Sequence, residues 1–346
     1  MKMVQREYTL RFQTPAFLGN AEQSGQWRTP PFKAQLRQWW RVAYSASKGF
    51  RVDVARMRED EGKLLGNAWL DKNFCKSLVR MRLGEWNPGK LKSWQGLEQG
   101  KVEHPEVERS HHSVGPHAYL GFGPLDGRDG TTFSKKINAA IQAGEQNVYS
   151  IAYPVEHASL IRHAISLMDQ FGTVGGRSRN GWGSYCLEAV DGDSGLPLRP
   201  WEEAISLDWP HAIGTDSRGA LIWQTPPRAD WRELMKDLAV IKIGLRTQFK
   251  FPHAKPDGDV HQRHWLSYPV TTHRVGAWDR NNARLPNSLR FKVRPAADGR
   301  VVGVIFHMPC LPPPAFLPRG SEIVEVWKKV HGFLDGSAPN LTRVSA

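Results

Sequence analysis

GTVGGRSRNGWGS, residues Gly172 to Ser184, holds five glycines, two arginines and no acidic side chain. Glycine lets a backbone turn through positive φ and lets other atoms approach closely. Arginine offers a planar fork of donors suited to phosphate. The stretch follows a helical pattern, EHASLIRHAISLMDQFG, with Leu160, Ala164, Leu167, Met168 and Phe171 on one side, and it precedes WGSYCLEAV, which is rich in β-formers. A nucleotide-binding P-loop or dinucleotide loop instead follows a strand and opens a helix. Nucleotide hydrolysis is therefore a poor reading. A phosphate-binding turn and a flexible turn both stay open.

Working outward, NVYSIAYPV before the helix reads as a strand ending near Val155. VQREYTLRF (Val4 to Phe12) alternates, with Tyr8, Leu10 and Phe12 on one side. TPPFKAQLRQWWRVAYSASKG has helical spacing, with Thr29 placed to cap it, Pro30 in its first turn and Gly49 to stop it. Residues 50–147 are hard to read, although HAYLGFG (His117 to Gly123) has the look of a strand. The first half thus reads β-α-(β)-β-α-β, the ferredoxin-like order, in which two helices cover one face of an antiparallel sheet and the other face is often where RNA is read. DGDSGLPLRP (Asp191 to Pro200) marks a boundary. Beyond it, ALIWQ, RADWRELMKDLAVIKIGL, the hairpin SLRFKVRP/RVVGVIFHMP, SEIVEVWKKVHGFLDG (capped by Ser321, stopped by Gly336) and a short strand in NLTRVS repeat the order. The expected fold is α+β: two ferredoxin-like (RRM-like) domains in tandem, 1–192 and 200–346, with an insertion at about 50–147 in the first.

Among the 346 residues, Lys and Arg outnumber Asp and Glu by 47 to 34, a formal charge of +13 that points to a polyanionic partner. The three cysteines form no CxxC pair, so neither a disulfide framework nor a zinc-finger spacing is present. No run of about 18 apolar residues occurs, and the first residues are charged throughout, so a cytoplasmic protein with no membrane span is expected. On a helical wheel Lys33, Arg37, Arg41 and Lys48 fall within an arc of roughly 80°. Phe32, Leu36, Trp39, Trp40 and Ala43 occupy a separate apolar arc. No Asp or Glu lies between Gln23 and Val52, so nothing nearby in sequence neutralises the stripe. A solvated helix face and a row of phosphate contacts both fit it.

Together the stretches TPAFLGN…WRTPPFKAQLRQWWR, FGTVGGRSRNGWGS and LPNSLRFKVRP…GRVVGVIFHMP resemble the RAMP superfamily of CRISPR effector proteins, and within it the family of subunit one of the type III-B Cmr complex. Thr14, Pro15, Phe17, Gly19, Pro30, Lys33, Leu36, Arg37, Trp39, Trp40 and Arg41 fit the early motif. Gly175, Gly176, Arg177, Ser178, Arg179, Gly181, Gly183 and Ser184 fit the glycine-rich hallmark, with Asn180 where the family has a second arginine. The resemblance implies CRISPR RNA and its complementary target RNA as ligands, other type III effector subunits as partners, and no cofactor. It implies an RNA-binding role near the guide 3′ end, carried by Arg28, Lys33, Arg37, Arg41, Lys48, Gly175, Gly176, Arg177, Ser178, Arg179, Asn180 and Gly181.

Some RAMP proteins cut RNA, so a metal-independent endoribonuclease that processes CRISPR transcripts is the alternative. Its candidate residues are Glu22, in the loop after the first strand, and His111, His112 and His117, as proton-transfer groups. A second cluster, His253 to Trp265, offers His253, Asp257, Asp259 and His261, but their spacing matches no standard metal site. No metal is expected, and the expected protein is non-catalytic.

Overall fold

A computed structural model describes the chain except for residues 70–73, 99, 108–111, 128–129, 191–194, 253–257, 339 and 345–346. It is a mixed α+β protein with several antiparallel sheets. The first half contains β1 (Met3–Phe12), α1 (Pro30–Ser47), α2 (Val54–Leu65), β2 (Arg80–Leu83), α3 (Pro116–Gly121), β3 (Gln146–Pro154), α4 (Ala158–Phe171) and β4 (Tyr185–Glu188). Its sheet runs β2-β3-β1-β4 with every pairing antiparallel. The second half contains β5 (Ile222–Gln224), α5 (Trp231–Thr247), β6 (Leu289–Pro295), β7 (Val301–His307), α6 (Gly320–Gly332) and β8 (Thr342–Arg343). Its sheet runs β6-β7-β5-β8, again antiparallel throughout. Each half therefore places its third strand between its second and its first. A small three-stranded sheet (198–200, 213–216, 219–220) lies between the halves in sequence.

Three expectations change. HAYLGFG is not a strand: Pro116 opens the short helix α3, because a short apolar run cannot be assigned by periodicity alone. The missing strand is β2, RMRL, an edge strand whose two arginines are exposed. The Thr29 side chain accepts no capping hydrogen bond and Thr29 has helical φ and ψ, while Ser321 lies inside α6, which starts at Gly320. Gly49 does end α1. Its φ is +57°, its N–H reaches Ala46 O, and the Phe50 N–H reaches Ser45 O, the paired bonds of a Schellman motif.

The layers stack in an order that fixes what can be a binding surface. The inner face of the first sheet (Tyr8, Leu10, Phe12, Tyr149, Tyr185) packs on α1 and α4, with Phe32 of α1 placing its ring 5.6 Å from that of Tyr185. The opposite sides of those helices meet the second sheet. Trp39 of α1, Phe171 of α4 and Phe306 of β7 form a ring cluster with centroids 4.9 to 6.4 Å apart. The far face of the second sheet packs Phe291, Val293 and Ile305 with Leu234 and Leu238 of α5 and Val330 of α6. The order is sheet, helices, sheet, helices. The second sheet thus has no open face. The open face of the first sheet carries Gln5, Glu7, Thr9, Arg11, Arg80, Arg82, Val148 and Glu188, with no aromatic ring for a base. Reading RNA on an open sheet, the expectation from the RRM pattern, lacks its stacking groups here.

Candidate nucleic-acid interface

The three stretches that carry the sequence resemblance, far apart along the chain, converge on one place. Gln13 and Thr14 donate their N–H groups to Ser184 O, and Gly183 N–H donates to Pro15 O. The Thr14 hydroxyl donates to Gly181 O and accepts from Ser184 N–H. On the other side, Phe291 N–H of β6 donates to Arg179 O at 3.0 Å, and Val293 N–H donates to Ser184 Oγ at 2.9 Å. The glycine-rich loop therefore closes the edge of the second sheet while holding the entry loop of the first. At Gly183, φ is +64° and a Cβ would stand 1.8 Å from Val174 O, so no other residue fits. Much of the glycine content serves this seam.

Asn180 and Gly181 belong to the seam rather than to an open surface. Asn180 donates to Leu120 O and accepts from Lys242 Nζ. Gly181 is buried against Met235 and Leu238. Lys292, fully buried on β6, joins the halves by donating to Met168 O and Asp169 O near the end of α4, 5.0 Å from the centre of the Tyr185 ring. Its ammonium pKa is pushed down to about 7, by burial first.

On the outer side of the seam stands a group of cations. Arg177 and Arg179 keep a solvent-facing edge although both stand among many protein atoms. Arg177 Nε donates to Phe122 O. Lys242 and Arg246 of α5 stand near Arg177, and Arg290 of β6, only 8% exposed, lies near Arg179. None of these five makes an ion pair among the described residues. Burial and then the neighbouring charges of Arg246 and Arg177 hold Lys242 well below the usual lysine range. Burial and then Arg179 push Arg290 down to about 9. Arg246 disfavours the charge of Arg177, both disfavour that of Lys242, and Arg179 disfavours that of Arg290; an incoming anion would relieve such neighbours. Arg177 and Arg179 were legible in the sequence, while Lys242, Arg246 and Arg290 were missed; the last lies within the third resemblance stretch, and helical spacing puts Lys242 and Arg246 four apart on one face.

The stripe on α1 is less free than the sequence suggested. Arg41 Nε and Nη2 bind the two oxygens of Glu61 on α2 at 2.6 and 2.9 Å, and Arg37 Nη1 approaches the same carboxylate at 3.4 Å. Arg37 also donates to Leu65 O. Glu61 is only 3% exposed. So α2 neutralises half of the stripe from 20 or more residues away. Among the described residues Lys33 has no hydrogen-bond or ion-pair partner, and burial with nearby Arg37 lowers its pKa. Lys48 is exposed and sits over the Tyr44 ring. Arg28 is half-buried with an unpaired Nε.

The proton-transfer candidates do not assemble. His117 is completely buried on α3 among Trp94, Trp182 and Trp231, with Nε2 3.2 Å from Arg232 O. Its pKa is pushed down to about 4 by burial. It is a core histidine out of reach of substrate. His112 is exposed in a loop, and Glu22 is exposed at a turn where its N–H donates to Asn20 Oδ1. His111, His253 and Asp257 lie outside the described residues. Among the described residues no three His, Cys, Asp or Glu side chains cluster as metal ligands, and no helix is long and apolar enough to cross a membrane. The cysteines are unpaired.

No protein-family model and no curated protein matches the chain. Solved structures do. Cmr1 from Pyrococcus furiosus, in its apo form, is 16% identical with a TM-score of 0.50, over 100% of this chain and 99% of that one. A chain of the type III-B Cmr-beta complex bound to cognate target RNA is 9% identical, with a TM-score of 0.47, over 95% and 100%. The likeness to Cmr1 runs the length of both chains, and this protein has the fold of that structure.

Proposed function

We propose that this protein is a non-catalytic RNA-binding subunit of a type III CRISPR ribonucleoprotein, contacting guide RNA or the guide–target duplex near the guide 3′ end. In this reading the two sheets with their helices are tandem ferredoxin-like domains, 1–192 and 200–346. The observation that carries it is the group of cations that make no ion pair among the described residues, at the seam where the three resemblance stretches meet. Arg177, Arg179 and Arg246 supply phosphate donors, with Gly175, Gly176 and Ser178 as neighbouring backbone. Arg28, Lys33 and Lys48 extend the track along α1. Arg37 and Arg41, tied to Glu61, hold that helix in place.

The test is a salt titration of single-stranded RNA binding with the wild type and an Arg177→Ala/Arg246→Ala double variant, with RNA integrity read on the same samples. Two lost phosphate contacts lower the slope of log K against log salt by about 1.4 on a single strand. An unchanged slope and affinity would overturn the assignment. Cut RNA would move the protein to the endoribonuclease class.

A further inference from the structure

Phe122 is 56% exposed, although it follows α3, the helix that buries His117. Nothing about its position is loose. Leu120 O, two residues earlier, accepts from Asn180 Nδ2; Gly123 N–H, the next residue, donates to Leu125 O. The carbonyl of Phe122 itself accepts from Arg177 Nε. Arg177 has φ +57°, a left-handed conformation that disfavours a branched or long side chain, so its place is set by the surrounding seam rather than by local preference. Gly123 has φ +113°, and a Cβ there would stand 3.5 Å from Arg177 Nη2. The backbone that carries an open aromatic ring is thus tied to a guanidinium, with Arg246 near enough to Arg177 to act on its charge. Two other exposed rings stand in different settings. Trp69 carries the Arg58 guanidinium 4.7 Å from its ring centre, and Trp86 follows the Glu85 carboxylate.

We propose that Phe122 is a stacking platform for one unpaired base of RNA, whose flanking phosphates lie on Arg177 and Arg246. This rests on the RNA-binding reading above and adds to it a residue and a ligand state: a single-stranded nucleotide, taken without regard to base identity, since every base offers a π-face.

The test compares the wild type, Phe122→Ala and Phe122→Tyr on a short single-stranded RNA and on the same RNA carrying one abasic nucleotide scanned along it. Phe122→Ala should weaken binding about 5- to 150-fold and leave the salt slope unchanged, while Phe122→Tyr keeps the affinity. At one position the abasic nucleotide should weaken the wild type and leave Phe122→Ala unaffected. Thermal melts confirm that the variants fold. Wild-type affinity in Phe122→Ala, with a flattened slope in the Arg177→Ala/Arg246→Ala variant, would sink the platform and leave the RNA-binding reading standing. An equal loss in Phe122→Ala and Phe122→Tyr, or an abasic penalty that persists in Phe122→Ala, would also overturn it. Failure of the wild type to bind RNA would remove both.

Discussion

Trp39→Ala should lower the unfolding free energy by about 3–5 kcal/mol, the cost of emptying a large ring from a close-packed core. Trp39 is fully buried, and its ring bridges layers: Phe171 lies at 5.8 Å and Phe306 of the second sheet at 6.4 Å. The cavity would open between elements that belong to different halves of the chain. Neither half can collapse to fill it without moving the other. Urea unfolding followed by tryptophan-independent circular dichroism measures the loss. A midpoint within error of the wild type would mean that the helices are not held between the two sheets as described.

Acid should unfold the protein through its buried histidines. His117 has its pKa pushed down to about 4, and His331 to about 3, in each case by burial first. His307, whose Nδ1 lies 2.9 Å from His331 Nε2 and whose Nε2 lies 3.0 Å from Ser288 Oγ, is held well below the usual range by burial and then by His331. A folded pKa below the unfolded value of about 6.5 means that the unfolded chain binds the protons first. Stability is therefore complete above pH 6.5 and falls as pH drops toward the folded values. One group loses about 1.4 kcal/mol per pH unit in that window, so His117 alone costs about 3 kcal/mol at pH 4, and the His307–His331 pair adds to the loss in the same direction. That is a large share of the roughly 5–15 kcal/mol that holds a typical domain. Urea midpoints at pH 7, 5.5 and 4.5 test it, with His117→Gln as the control that flattens part of the slope. Equal midpoints at pH 7 and 4.5 would contradict it.

The elements with a strong period were legible in the sequence. Tyr8, Leu10 and Phe12 gave β1, and Leu160 through Phe171 gave α4, because each buries one continuous side. β2 was not legible, since four residues with two exposed arginines carry too little alternation to stand out. Long-range pairing was harder still. The apolar arc of α1 showed that Trp39 is buried, but not that Phe306 covers it. The cationic arc showed Arg37 and Arg41 but hid Glu61, which approaches from α2 in the segment that resisted reading. The glycines of residues 172–184 read equally well as room for a ligand or room for packing. Only the approach of Val174 O to Gly183 and of Met235 to Gly181 shows how many of them serve packing. Phe122 passed unnoticed inside HAYLGFG because an apolar run gives no sign of which ring stays in water.

Helices α1 and α4 are shared property: each is a wall for one sheet and a floor for the other. Cutting the chain near residue 195 would strip Trp39 and Phe171 of the Phe306 ring that covers them and leave Lys292 without its acceptors. Two similar sheets are thus bound into a single thermodynamic body that melts as one. An RNA strand on the seam cations would touch groups anchored in both halves, and a force applied to one half would reach the other through the two shared helices.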